Sequence, residues 1–146
     1  MSLISIAKEF RWEMGHRLPF HRGLCKNIHG HSYRLRVEIC GEVDENGMVL
    51  DYYELKSIVQ PTIDRLDHSF ICDQTDTVMM EFFKNNPMKI VVVPFSTTAE
   101  HIVGYLLDDL REKFNRIDNI ATITLRLYET EQAFAEATAF LKAQTA

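Results

Sequence analysis

Cys25, His29 and His31 lie within seven residues of one another, and His16 stands a short loop upstream. Neutral imidazole is the commonest protein ligand for a metal ion. Three imidazoles on Zn²⁺ leave a fourth position open for water or substrate, as in a catalytic zinc. Cys25 has Lys26 beside it and Arg17 and Arg22 nearby. Positive charge lowers a thiol's pKa and favours the reactive thiolate. Residue type alone leaves Cys25 two roles, a fourth metal ligand or a base beside the metal.

Other residues offer weaker signals. In Asp67-His68 a carboxylate adjoins an imidazole, and such a carboxylate can fix the ring's tautomer and hold it basic. Glu129 follows an apolar stripe. A buried acid is costly unless paired, so a ligand ring presenting paired N–H donors would explain it. The bland alternative is a strand-end acid in solvent. Cys40 and Cys72 read as small buried hydrophobes, and His21 and His101 as surface residues.

The elements around these residues follow from periodicity. Ile4, Ile6, Phe10, Trp12, Met14 and His16 occupy even positions, with one break at Lys8. This is the alternation of a strand with one buried face. Residues 17–26 contain Pro19 and Gly23 and read as a loop. His29, His31, Tyr33, Leu35, Val37 and Ile39 then occupy odd positions. His-x-His puts both rings on one strand face, about 6–7 Å apart along it. If the two strands pair antiparallel, His16 ends the first where His29 begins the second.

Further on, Asp44-Glu45-Asn46-Gly47 is a turn, and 48–50 reads as a short returning strand. Asp51 opens a helix through Leu66 that contains Pro61, a residue that kinks helices. A second helix is predicted over 76–86, and a buried extended segment over 89–95. A third helix starts at Thr97, with Glu100 at capping-box spacing, and runs to Phe114. A last strand carries Ala121, Ile123, Leu125 and Leu127. An alanine-rich helix is predicted from Glu131 to about Ala143.

The totals set bounds. The 146 residues fit one domain, 1–146, and 46% hydrophobic with 25% charged residues is an ordinary globular composition. Three scattered cysteines do not make a disulfide framework, so the expectation is reduced thiols in a cytoplasm. No apolar run reaches the ~18 residues of a membrane span, and the N-terminus lacks a signal-peptide layout. A net charge of −5 argues against nucleic acid or an anionic membrane as partner. Within that acidic chain, Arg11, Arg17, Arg22, Lys26, Arg34 and Arg36 face one acid, Glu13, between positions 11 and 36. Either an anionic ligand or acidic partners elsewhere in the fold would account for this segment.

These residues resemble the 6-pyruvoyltetrahydropterin synthase family and its bacterial branch, 6-carboxytetrahydropterin synthase. The carrying segments are FRWEMGHRLP from Phe10, CKNIHGHS from Cys25, DYYELK from Asp51, Leu66-Asp67-His68, Thr98-Ala99-Glu100 and Tyr128-Glu129-Thr130. The resemblance implies an α+β tunnelling fold: an antiparallel sheet with helices on one face, joined between subunits into a barrel. It implies a hexamer built as a dimer of trimers. It makes His16, His29 and His31 zinc ligands and Cys25, Asp67 and His68 the catalytic residues. Glu129, with Thr98 and Thr130 in adjoining segments, would hold the pterin.

The implied substrate is 7,8-dihydroneopterin triphosphate. The queuosine-type enzyme gives 6-carboxy-5,6,7,8-tetrahydropterin and acetaldehyde. The biopterin type eliminates triphosphate to give 6-pyruvoyltetrahydropterin. Three residues between Cys25 and His29 resemble the queuosine branch, because the animal biopterin enzymes have a longer spacer. A zinc-containing protein that binds a pterin or purine without turnover is the non-enzymatic alternative. The chain departs from the family in the bulk of Trp12 to Gly15, in Thr97 where proline is common, and in the length of 75–89 and of the segment after Thr130.

Overall fold

The computed structural model describes residues 2–142. Strands β1 (Ile4–His16) and β2 (His29–Gly41) flank a loop that holds a short 3₁₀ turn, Leu24–Lys26. Helix α1 (Tyr52–Leu66), strand β3 (Ser69–Asp73), helix α2 (Thr77–Asn85) and strand β4 (Ile90–Val93) follow. Helix α3 (Ala99–Phe114) and strands β5 (Ile120–Tyr128) and β6 (Phe134–Phe140) complete the described chain. One sheet runs β4-β3-β1-β2-β5-β6.

The β1–β2 ladder is antiparallel and unbroken, from Ile4 opposite Gly41 to His16 opposite His29. Its even and odd apolar sets therefore share a face, and Trp12 stacks on Tyr33 at 5.4 Å. Leu35, Val37, Ile39, Ile123 and Leu125 on that face pack against α1 and α3 through Leu55, Val59, Ile102, Leu106 and Leu110. Burying each such side chain contributes about 1.5–3 kcal/mol. On the opposite face, Arg34 pairs with Glu9, Arg36 with Glu38 and Arg126 with Glu136. Acids within the sheet thus supply partners for Arg34 and Arg36.

Several expectations change. The sheet is mixed, because β3 joins β1 in parallel and β4 joins β3 in parallel. Parallel neighbours need a crossover connection, usually a helix, and α2 supplies the one from β3 to β4. Nor do all helices share a face. Ile71 enters the main core, whereas Phe70 and Cys72 pack with Met79 of α2 in a second cluster. Successive strand residues point to opposite faces, so α2 lies across the sheet from α1. Strand β4 is a partly exposed edge, not a buried piece.

Residues 48–50 do not pair as a strand. Asp44 Oδ1 accepts from Asn46 and Met48 N–H, and Asn119 Nδ2 donates to the Val49 carbonyl. Helix α1 continues through Pro61. Thr98, one residue after Thr97, is the N-cap of α3 and accepts from His101 N–H at 3.2 Å. The predicted C-terminal helix is strand β6, paired residue by residue from Tyr128–Phe134 to Thr122–Phe140. Alternation in Phe134–Phe140 and a free β5 edge outweigh alanine's helix propensity. Ala143, the end of that prediction, lies outside the described residues.

A Cβ at Gly41 would overlap the Asn119 carbonyl oxygen, a backbone atom. Gly41→Ala will therefore lower stability by about 1–3 kcal/mol, read as a shifted urea midpoint. Asp76, buried at the N-cap of α2, has its carboxyl held below its ordinary 3.8 by the Arg17 guanidinium. The native state thus favours the ionised form. Its stabilisation is full above pH 3.8 and is lost as pH falls below. Asp76→Asn will be less stable than wild type at pH 7, with the gap narrowing at pH 3 in urea titrations.

Candidate metal centre and adjoining cavity

The β1–β2 register sets His16 across from His29 and two pairs away from His31. The ring centroids lie 4.6 Å (His16–His29), 5.2 Å (His16–His31) and 5.0 Å (His29–His31) apart. One nitrogen from each ring falls within 4.8 Å of the others, so the group can hold a metal ion. Gly15 and Gly30 form the intervening cross-strand pair. A Cβ on Gly30 would sit 3.0 Å from the Met14 carbonyl oxygen, so the close approach favours glycine there.

Hydrogen bonds set the tautomers. His16 Nδ1 lies 2.8 Å from the Thr97 carbonyl oxygen, and His29 Nδ1 lies 2.7 Å from that of Asn27. A carbonyl only accepts, so each Nδ1 carries the proton and each Nε2 presents a lone pair. The Nε2 atoms of His16 and His29 are buried and have no hydrogen-bond partner. Orphaned buried acceptors are costly, and a cation between them removes that cost. Such outer contacts are the usual way of orienting metal-bound histidines. The residues therefore fit a metal.

Burial pulls the His16 pKa down to about 4, against the opposing hydrogen bond to Thr97, and the two nearby histidines push it the same way as burial. Burial also lowers His31. Both rings are thereby kept in the neutral form that ligates metal.

Beside the histidines opens a cavity of about 440 Å³, lined by Ala99, Glu100, Val103, Glu129, Phe134 and Glu136 among others. Glu129 Oε1 stands 3.9 Å from His16 Nε2, and the Tyr33 hydroxyl donates to the same oxygen at 3.5 Å. Burial raises the Glu129 pKa; His29 and the Tyr33 bond oppose this, and Glu100 adds to it. Burial beside Glu129 also raises the Tyr33 phenol. Two residues here were read differently from sequence. Thr97 and Glu100 looked like a helix cap, but Thr97 supports His16 and Glu100 lines the cavity. Thr97 in the family's proline position was the available signal.

The remaining sequence-derived residues are distributed. Cys25 sits in the 3₁₀ turn, partly exposed and unpaired. Burial pushes the Cys72 thiol up to about 11, so it is not a thiolate at neutral pH. Thr98 spends its hydroxyl on the α3 cap. Thr130 accepts from Gln132 and Ala133 N–H and turns the chain into β6.

Asp67 and His68 pair at 2.9 Å beyond the end of α1. Asp67 Oδ1 accepts from Glu13 N–H, and His68 N–H donates to the Glu13 carbonyl, which pins the pair to the edge of β1. The Glu13 bond, and then His68, hold the Asp67 pKa below its ordinary value. His68 has φ 59° and a side chain 77% exposed. It shares a recess of about 350 Å³ with Glu13, Gly15, Gly30, His31 and Ser32. Among the described residues, no direct hydrogen bond joins Asp67 or His68 to Cys25 or to the three histidines.

The sequence profile described as 6-pyruvoyl tetrahydropterin synthase matches residues 5–139. The chain belongs to the 6-pyruvoyl tetrahydropterin synthase family. It is 38% identical to a 6-carboxy-5,6,7,8-tetrahydropterin synthase of Haemophilus influenzae over 142 residues, covering 92% of this chain and 98% of that one. Identity to the enzyme of the same name from Aquifex aeolicus is 33%, covering 90% and 95%. The fold is that of the 6-pyruvoyl tetrahydropterin synthase of Plasmodium vivax, with TM-score 0.78 at 18% identity over 97% of this chain and all of that one. No helix among the described residues is long and apolar enough to cross a membrane.

Replacing His16, His29 or His31 by Ala will lower Zn²⁺ affinity by more than the roughly 10–100-fold typical of outer contacts. Thr97→Val keeps the carbonyl and removes Oγ1, which lies 3.2 Å from His16 Nδ1. It will weaken Zn²⁺ by about tenfold at most. Competition with a chromogenic chelator reads both effects.

Proposed function

We propose that the protein is a zinc-dependent lyase that converts 7,8-dihydroneopterin triphosphate to 6-carboxy-5,6,7,8-tetrahydropterin. Acetaldehyde and triphosphate leave, and mass balance takes up one water. The observation that carries this reading is the placement of Glu129, in the cavity wall and 3.9 Å from His16 Nε2. An acid for a ring's N–H edge thus adjoins three ligands for a metal at the ring's side chain. The names of the Haemophilus and Aquifex relatives support the 6-carboxy product.

His16, His29 and His31 would hold zinc, which would supply Lewis acidity toward the substrate's side-chain hydroxyls. The chain's own groups do the rest. Glu129, ionised, accepts two N–H bonds from the pterin and fixes its orientation. Thr98 and Thr130 flank that edge. Cys25, as thiolate, removes a carbon-bound proton next to the hydroxyls. Ionised Asp67 holds His68 Nδ1–H, which leaves His68 Nε2 to take up and return protons. Arg17, Arg34 and Arg36 each have a carboxylate partner, so their charge does not stand free for the triphosphate.

The exposure of His68 favours a site completed by a second copy, in a hexamer built as a dimer of trimers. β1 pairs with β3 only at Met14 and Gly15, and β6 ends the sheet. Among the described residues, the first half of β1 and the outer edge of β6 thus have no strand partner, and such edges are ones that other strands tend to cover. Three free thiols favour the cytoplasm as the site of action, and queuosine biosynthesis is the pathway that uses the 6-carboxy product.

Zinc-loaded protein given 7,8-dihydroneopterin triphosphate will yield 6-carboxytetrahydropterin and acetaldehyde by mass spectrometry. A 6-pyruvoyl product would move the protein to the biopterin-type reaction, and no product would favour a pterin-binding module. Cys25→Ala will cut turnover about 10²–10⁴-fold, the usual weight of a general base, with substrate affinity retained in equilibrium titration.

A further inference from the structure

The loop that carries Cys25 has only a three-residue 3₁₀ turn of its own and buries none of that turn's residues. Something else must hold the thiol in register with the histidines. Leu18 N–H donates to the Cys25 carbonyl at 2.8 Å, and Arg17 Nη1 donates to the Lys26 carbonyl at 3.3 Å. The backbone at the thiol residue and at the residue after it is thus tied to the two residues after His16.

Arg17 is itself fixed from two directions. Thr97 Oγ1 donates to the Arg17 carbonyl at 3.3 Å. The guanidinium forks onto Asp76, Nε to Oδ2 and Nη2 to Oδ1, both at 2.7 Å. Two parallel charge-assisted bonds fix the plane of the guanidinium as well as its position. Asp76 is 6% exposed and also caps α2, accepting from Met79 N–H. Helix α2 is in turn anchored by Met79 against Phe70 and Cys72. The chain's long segment between β3 and β4 therefore ends its reach on the Cys25 loop.

We infer that Arg17 and Asp76 are positioning residues, a clamp by which α2 braces the Cys25 loop beside the three histidines. The inference rests on the proposed role of Cys25. The clamp touches no substrate and acts through the loop backbone. It gives α2, on the far face of the sheet, a task at the site.

Arg17→Lys and Asp76→Asn test this. Lysine keeps the charge but loses the fork, and asparagine keeps the α2 cap but loses the ion pair. In zinc-loaded protein, amide exchange at Leu18 and Asn27, whose N–H groups bond the Cys25 and Leu24 carbonyls, will speed up about 10–100-fold, and iodoacetamide will alkylate Cys25 faster. Cys40, at the other end of β2, and the β2–β5 amides will be unchanged in Arg17→Lys, and in Asp76→Asn will speed up less than the loop, by no more than the loss of global stability gives. The kcat will fall by about the same factor with little change in KM, because misplacement of a reacting group acts on the chemical step.

Unchanged exchange at Leu18 and Asn27 with unchanged alkylation at Cys25 would overturn the clamp. So would equal acceleration at Cys40 and across β2–β5, which would mean general loosening. Exchange and alkylation need no substrate, so they judge the clamp even if wild-type protein turns nothing over. Absence of wild-type turnover would sink the proposed reaction alone.

Discussion

The site depends first on the register between β1 and β2. Thirteen consecutive pairs run from Ile4–Gly41 to His16–His29. Side chains alternate along a strand with period two, so a slip of one residue would turn a strand's whole apolar set to the other face. Trp12, Met14, Tyr33, Leu35 and Val37 are almost wholly buried on the helix-facing side. The free energy that fixes the core therefore fixes the histidines. They extend the same stripe past its apolar end, where two cross-strand positions bring one nitrogen from each of three imidazoles within 4.8 Å of the others.

That arrangement carries an electrostatic cost which shapes its function. Burial disfavours protonation, and the two neighbouring imidazoles add to this, so His16 is held well below its ordinary pKa. The Thr97 and Asn27 carbonyls each take one ring proton and leave buried, unpartnered Nε2 atoms facing a common point. Glu129 approaches from β5, partly desolvated and beside the Tyr33 hydroxyl. A site prepared for a cation thus adjoins an acid suited to polar N–H groups.

The structure separates roles that lie close together in sequence. Cys25 precedes His29 by four residues but belongs to a loop held through Leu18 and Arg17. Asp67 and His68 reach the edge of β1 through Glu13, whose side chain faces away from the histidines and accepts from Ser32. The Gly15–Gly30 pair thins the sheet between these regions. Residues supporting the metal site thus come from β1, β2, the turn before α3 and the end of β5.

The two long strands, the three-histidine stripe, helices α1 to α3 within a few residues, and Glu129 at the end of β5 were legible in sequence. Each rests on local periodicity, or on a cap such as Asp51, and such signals need no distant partner. The mixed sheet, the strand identity of 134–140, the opposite placement of α2 and the dual duty of Arg17 were not legible. They depend on which edge is free and which carboxylate lies near, and residues far apart in the chain decide that. The sequence by itself determined the three candidate metal ligands, because alternation puts His16, His29 and His31 on apolar faces. Only the tertiary structure decided how each ring is oriented and what ties down the loop that carries Cys25. Those depend on Thr97 and Asp76, 81 and 59 residues away from the groups they hold.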